Sequence, residues 1–331
     1  MHILITGAAG MIGRKLTARL LAEGALHGRA IDKLTLHDVV PFPAEIVGAS
    51  DKPLTIVASD LAAPGEAEKL IATRPDAIFH LAGVVSGEAE LDFDKGYRVN
   101  LESMRALLDA IRAAADASSY HPRLVFSSSI AVYGAPFPAA IPDDFQLTPL
   151  TSYGTQKAIC ELLLADHHRR GLLDGVGIRL PTICVRPGKP NKAASGFFSG
   201  IIREPLAGEE AVLPVADTVR HTHASPRAAI GFLIHAAGLT REQLGPRINL
   251  AMPGVCCTVA EQIAALARVA GPQVAARIRR EPDELIMRIV GGWAERITAA
   301  RATALGFKAE ASFDEIIRIH IDDELAGRIA A

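Results

Sequence analysis

Three glycines at intervals of three, Gly7, Gly10 and Gly13, follow directly on the apolar run His2–Thr6. A run of that kind reads as a buried strand. The stretch Met11–Glu23, with Ile12, Leu16, Leu20 and Leu21 on one face, reads as a helix. Strand, tight glycine turn and helix together make a cradle for a pyrophosphate. Gly7 permits the turn, Gly10 lets the backbone approach the phosphates, and Gly13 lets helix and strand pack closely. The first N–H groups of the helix, around Met11, Ile12 and Gly13, then face the anion.

The same alternation continues. Strands are predicted at Leu34–Asp38, Leu54–Ala58, Ala77–Ala82, Leu124–Ser128 and Val176–Leu180. Helices are predicted at Glu66–Ala72, Asp94–Ala115 and Tyr153–Arg170 between them. Unbroken apolar strands separated by helices predict an α/β fold with a doubly wound parallel sheet of the Rossmann type. Past residue 181 the pattern changes. A helix at Ser195–Pro205, helices at 226–239 and 258–270, a strand at Arg247–Leu250 and helical stretches at 281–306 and 312–330 suggest a second, smaller C-terminal substrate lobe. The expected division is a cofactor domain over 1–180, with chain returning at 222–255, and a lobe from 181–221 and 256–331.

Composition removes several alternatives. The chain has 331 residues with a formal net charge of −2 and 5% aromatics. A binder that neutralises phosphates needs a basic face, and one that stacks bases needs aromatic platforms, so no nucleic-acid partner is expected. The mildly positive mean hydropathy comes from scattered Ala, Leu and Ile, with no apolar run of roughly 18 residues, so no membrane partner is expected either. The apolar start reads as a strand rather than a signal peptide. Cys160, Cys184, Cys256 and Cys257 lack metal-ligand spacing and read as free buried thiols of a cytoplasmic protein.

An acid at the end of the second strand should hold the adenosine ribose. Asp32 has the nearer spacing but precedes the apolar run. Asp38 ends it, and residues 24–31 lengthen the connection, so Asp38 is the choice. A carboxylate there repels a 2′-phosphate, which favours NAD over NADP. Asp60 and Leu61 close the third strand within reach of an adenine.

Tyr153 and Lys157 lie four apart at a helix start and so share a face. A phenol is a poor base at neutral pH unless a nearby positive charge assists it. The preceding strand ends in Ser127, Ser128 and Ser129, at the carboxyl edge of the sheet where ligands bind. A hydroxyl there can hold a substrate oxygen while the tyrosine moves its proton.

Taken together, these motifs resemble the extended short-chain dehydrogenase/reductase family, which includes the sugar-nucleotide epimerases and dehydratases. TGAAGMIG (6–13) is similar to its cofactor motif, HLAG (80–83) to its fourth-strand motif and VFSSSIAVYG (125–134) to its serine motif. YGTQK (153–157) is similar to its YxxxK, and Thr303–Phe307, Ser312 and Phe313 follow its C-terminal pattern. The resemblance implies a catalytic set of Ser129, Tyr153 and Lys157. It also implies cofactor contacts from Leu81, Ala82, Gly83, Asn100 and Ser127, and from Pro181 and Thr182 after the sixth strand. A homodimer built on the helices at 94–115 and 153–170 follows from the same resemblance.

The departures narrow the substrate. Sugar-nucleotide members carry a Tyr-Gly-Pro-like turn after the sixth strand, where this chain has Arg186-Pro187-Gly188-Lys189. Later they carry two acids, where this chain has Arg220-His221-Thr222-His223-Ala224. The stretch 179–206 instead resembles the D-erythronate dehydrogenase subgroup, which oxidises a four-carbon sugar acid at C2 with NAD. Arg186, Lys189, Lys192, Arg203 and Arg220 supply cations for a small anionic sugar acid, Arg186 and Arg220 foremost. Ser86 is expected near a substrate oxygen. No carboxylate partner is evident for His221 and His223, so no metal is expected. Two other readings stay open: a nucleotide-sugar epimerase or dehydratase with tightly bound NAD, and a catalytically silent dinucleotide sensor.

Overall fold

Inside a seven-stranded sheet, with two strands on one side and four on the other, lies β1 (His2–Thr6), whose Ile3, Leu4 and Ile5 are buried. The computed structural model describes residues 1–42, 53–188 and 194–330. On one side of β1 lie β2 (Lys33–Asp38) and then β3 (Leu54–Ala58). On the other side come β4 (Ala77–His80), β5 (Arg123–Ser129), β6 (Asp174–Leu180) and the strand Asn249–Ala251. The pairs β1–β2, β1–β4, β2–β3 and β4–β5 are parallel. The chain therefore leaves β1 in one direction and resumes on its other side, so a crevice opens at the carboxyl ends of β1 and β4.

The first two helices arise where the apolar period predicts them. α1 (Met11–Glu23) buries Leu16 and Leu20 and stops at Gly24, whose φ of 64° is left-handed. α2 (Glu66–Ala72) buries Leu70 and Ile71. α3 (Ser86–Leu91) is a short helix that the sequence reading does not contain. The helix expected over 94–115 is three pieces: a turn at Phe93–Gly96, a π-helical stretch at Tyr97–Glu102, and α4 (Ser103–Ser118). α5 (Ser152–Arg169) follows β5, and its capping residue Thr151 accepts a hydrogen bond from the Gly154 amide. Residues 24–31, read as a plain connection, form a two-stranded hairpin turned by His27 and Gly28 at φ 48° and 76°.

The described chain forms two compact units. The first comprises 1–129, 151–179 and 230–250, and carries the sheet. The second comprises 130–150, 180–229 and 251–331. It thus takes in 130–150, 180, 222–229 and 251–255, which the sequence reading assigns to the cofactor domain. Hydrogen bonds account for the difference. The Ile141 amide donates to Arg296 O at 2.9 Å, the Thr298 amide donates to Ile141 O at 3.0 Å, and Asp143 accepts from the Arg301 amide at 3.0 Å. The strand Arg220–Ala224 pairs with Val255–Thr258 and Thr182–Ile183 in a three-stranded sheet.

The second unit has its own apolar core, in which Phe198, Ile201, Ile202, Leu266, Ile316 and Ile317 are buried. The expected helix at 281–306 is broken after Gly291, leaving Glu284–Gly291 and Ala300–Ala304. Its last helix, Phe313–Leu325, is capped by Ser312, which accepts from the Glu315 amide. Cys160, Cys184 and Cys257 are buried and burial pushes each thiol up to about 12, whereas Cys256 is half-buried. Successive residues on a strand face opposite ways, so Cys256 and Cys257 cannot both point inward. Among the described residues no helix is long and apolar enough to cross a membrane.

Several histidines lie inside the fold. Burial lowers the pKa of His80 to about 3 and of His221 to about 4, and holds His223 well below its usual range. Each stays neutral when folded but takes up a proton near pH 6.5 when unfolded. Stability is therefore fully present above that pH and lost as pH falls through it, at up to about 1.4 kcal/mol per pH unit for each group. Thermal denaturation at pH 7.5, 6 and 5 should show a progressive fall in Tm. A Tm that does not change across that range contradicts this account.

Candidate active site

The glycine turn tolerates no side chain at its two outer positions. Gly7 has φ +71°, and a Cβ on it would lie 2.5 Å from the Ala82 nitrogen and 2.7 Å from the Leu81 carbonyl carbon. A Cβ on Gly13 would lie 2.3 Å from Gly7 O. Glycine is thus required where the β1 turn meets the chain leaving β4, and again where α1 meets that turn. Gly10 is the residue before α1, with no side chain capping the helix and no acid in its first turn. The N-terminal amides at Met11, Ile12 and Gly13 are placed to receive a pyrophosphate.

Asp38 ends β2, and its Oδ2 accepts from the Ala9 amide at 2.9 Å. The carboxylate expected at the ribose therefore also braces the glycine turn. Asp32 lies outside the strand, 78% exposed and paired with the N-terminal ammonium. Asp60 accepts from the Ala62 amide at 2.9 Å and pairs with Arg98, while Leu61 beside it is buried. A main-chain cradle, a carboxylate at the ribose position and an apolar residue for the adenine fit NAD.

The groups expected to react lie around the carboxyl end of β5. Lys157 is only 3% exposed, and its Nζ donates to Ser127 O at 2.9 Å. The same Nζ lies 4.8 Å from the Phe126 ring centre and 5.7 Å from that of Tyr153. A buried ammonium is costly unless paired, and here a carbonyl and two ring faces receive it. Ser127 Oγ donates to His80 O at 3.2 Å, which ties β5 to β4, and Ser129 is the last residue of β5. Gly83 leaves room for Asn100: a Cβ there would lie 2.8 Å from Asn100 Oδ1 and 3.6 Å from Lys157 Nζ. Ser86 begins α3. The first unit thus brings together the glycines, Asp38, Leu81–Gly83, Asn100, Ser127, Ser129, Tyr153 and Lys157.

Several supporting residues escape the sequence reading. Gln156 Oε1 accepts from Asn100 Nδ2 at 2.7 Å, and Asn100 Oδ1 accepts from the Val84 amide at 2.9 Å. Glu90 on α3 accepts from the Ser152 amide at 2.5 Å, an anion at the N-terminus of the helix that carries Tyr153. Ser128 Oγ donates to Glu161 Oε1 at 2.5 Å, and Arg179 donates to the same carboxylate. Glu161 could have been noticed, since it continues the spacing of four from Tyr153 through Lys157. Nothing in the local sequence marks Glu90.

Pro181, Thr182, Arg186 and Arg220 belong to the second unit. Thr182 Oγ1 bonds His221 Nε2 at 2.8 Å, and His221 Nδ1 bonds Ala294 O at 3.0 Å. His223 Nε2 meets the Gln262 side chain at 2.7 Å. Arg186 donates from Nε to Ile183 O at 3.0 Å and from Nη2 to Ser195 Oγ at 3.1 Å. Arg203 donates to Arg186 O at 2.7 Å and pairs with Glu204. Arg220 lies 3.5 Å from Glu261. Lys189 and Lys192, expected near the substrate, lie outside the described residues.

Comparison with known proteins extends this picture. The chain is 49% identical over 327 residues to a D-erythronate dehydrogenase of Cupriavidus necator, covering 98% of each chain. It is 41% identical to a D-erythronate dehydrogenase of Haemophilus influenzae, covering 98% of this chain and all of the other. Among solved structures, one described as a nucleoside-diphosphate-sugar epimerase from Agrobacterium tumefaciens is 62% identical. It has a TM-score of 0.96 and coverage of 100% of this chain and 96% of the other. The family model that matches residues 3–221 spans the glycine turn, the serine strand end and the Tyr–Lys helix just described. With that match and these full-length relatives, the chain belongs to the NAD-dependent epimerase/dehydratase family.

Proposed function

We propose that this chain is an NAD-dependent dehydrogenase that oxidises the C2 hydroxyl of D-erythronate to the 2-oxo acid. Near-full-length identity to two D-erythronate dehydrogenases is the observation that carries the substrate. The grouping of Lys157, Tyr153 and the β5 strand end supports the chemistry. NAD, when bound, supplies the two-electron acceptor that takes the hydride from C2. Tyr153 takes the proton of the C2 hydroxyl, so the C–H pair and the O–H proton leave separately and a carbonyl remains. Ser129 holds that oxygen as it changes from hydroxyl to carbonyl. Lys157 places a positive charge beside Tyr153 and offers an N–H to the nicotinamide ribose.

The substrate carboxylate calls for a cation in a fixed orientation. Arg186 is our choice, because the Ile183 carbonyl and the Ser195 hydroxyl orient its guanidinium. Arg220 already has Glu261 beside it. Pro181, Thr182 and Ser86 complete the proposed contacts. We assign the protein to the cytoplasm, where its four thiols stay reduced. We also propose a homodimer built on the helices around 94–115 and on α5, where Leu162 is an exposed apolar side chain.

One finding favours a second reading: the 62% identical structure is described as a nucleoside-diphosphate-sugar epimerase. A panel of aldonates and nucleotide sugars separates the two. NAD reduction with D-erythronate and no turnover of nucleotide sugars supports the dehydrogenase, and the reverse result overturns it.

Three substitutions test the assignments. Tyr153→Phe should lower kcat by about 10³-fold or more with NAD affinity largely kept, as read by NADH formation and by fluorescence titration. Asp38→Asn should raise KM for NAD by about tenfold, since it weakens a charge-assisted contact to the ribose, and should narrow the preference for NAD over NADP. Arg186→Gln should raise KM for D-erythronate by about 30-fold, the loss of a hydrogen-bonded charge pair, and leave KM for NAD unchanged.

A further inference from the structure

Tyr153, Lys157 and Glu161 recur every four residues along α5, which sets them on one stripe of the helix. We infer that Glu161 is a positioning residue for the reaction: through Ser128 and Arg179 it holds the strand bearing Ser129 in register with the helix bearing Tyr153 and Lys157. The inference rests on the Ser129–Tyr153–Lys157 reading given above.

The Glu161 carboxylate joins three elements. Ser128 of β5 donates to Oε1 at 2.5 Å. Arg179 of β6 donates from Nε to both oxygens at 3.0 and 3.1 Å, and from Nη2 to Oε2 at 2.7 Å. The Glu161 main-chain carbonyl accepts from Asn249 Nδ2 at 3.2 Å, which brings in the neighbouring strand. The side chains of Glu161 and Arg179 are 1% and 8% exposed.

Strand alternation explains why this contact reaches the chemistry without occupying the site. Ser127 and Ser129 are half-buried, while Ser128 between them is buried and faces the opposite way. The bond at Ser128 grips β5 from behind. Lys157 Nζ grips the same strand at Ser127 O, 2.9 Å away. Two fastenings one residue apart therefore join α5 to the end of β5.

Stability alone does not account for such a pair, since well-packed apolar residues in place of a buried ion pair are often neutral or stabilising. A charged fork that accepts from several directed donors contributes geometry instead. A shift of about 1 Å between reacting groups costs about 10²-fold in rate.

Ser128→Ala cuts the strand fastening and leaves the ion pair intact. Glu161→Met combined with Arg179→Met replaces the pair with apolar bulk. Both should keep Tm and KM for NAD near the wild-type values. Both should lower kcat, Ser128→Ala by about tenfold and the double variant by about 10²-fold. In both, amide hydrogen exchange across 127–129 should quicken. Wild-type kcat and unchanged exchange in Ser128→Ala would overturn the inference, whether or not the double variant folds. If the wild-type protein forms no NADH with D-erythronate, the functional reading fails. The exchange measurement then decides the positioning role by itself, faster exchange supporting it and unchanged exchange refuting it.

Discussion

Everything at the site depends on how closely two stretches of main chain approach at the carboxyl end of β1. The turn after β1 presses against the chain leaving β4, so that no atom larger than hydrogen fits on Gly7. That contact occurs where the strand order reverses, and both the dinucleotide cradle and the entry to Ser86 and Asn100 are built outward from it. Hydrogen bonds then carry the order sideways. His80 O receives Ser127, Ser127 O receives Lys157, and Gln156 receives Asn100. Ser127, Lys157, Gln156 and Asn100 are thus held by a short chain of polar contacts that begins at a backbone contact.

A second theme is the use of buried charge. Lys157 and Glu161 both lie on the inner face of α5, yet they are satisfied differently. Lys157 has a carbonyl and aromatic faces, so its charge remains available to a ligand beside it. Glu161 is matched by Arg179 and Ser128 and turns inward. One helix thus carries a cation without a carboxylate partner of its own among the described residues and an anion fully matched by its neighbours, separated by a single turn.

Much of the first unit was legible because its signals are local. β1, β3, α1 and α2 have the bounds that their apolar runs predict. The Tyr153–Lys157 pair and the serine strand end are contiguous motifs. What stayed hidden depends on distant partners. Arg220–Ala224 is polar in composition, and its burial depends on Thr182, Ala294 and Gln262. The segment 130–150 follows its partners at 296–301, separated from it by some 150 residues of chain. The π-helical stretch at 97–102 interrupts a pattern that reads as one continuous helix. Glu161 continues the four-residue spacing of Tyr153 and Lys157, but its partners Ser128 and Arg179 meet it only once β5 and β6 are set beside α5.

Asp38 has a consequence for how the cofactor is met. One of its oxygens braces the Ala9 amide, and the Ala8 amide is held by His37 O at 3.1 Å. The glycine turn is therefore anchored at two successive amides by the strand next to it, with no ligand required for either bond. Freezing a loop of freely rotating glycines on binding would carry a large entropic penalty. Here that ordering belongs to folding, so the dinucleotide meets a preorganised surface and more of its contact energy appears as affinity.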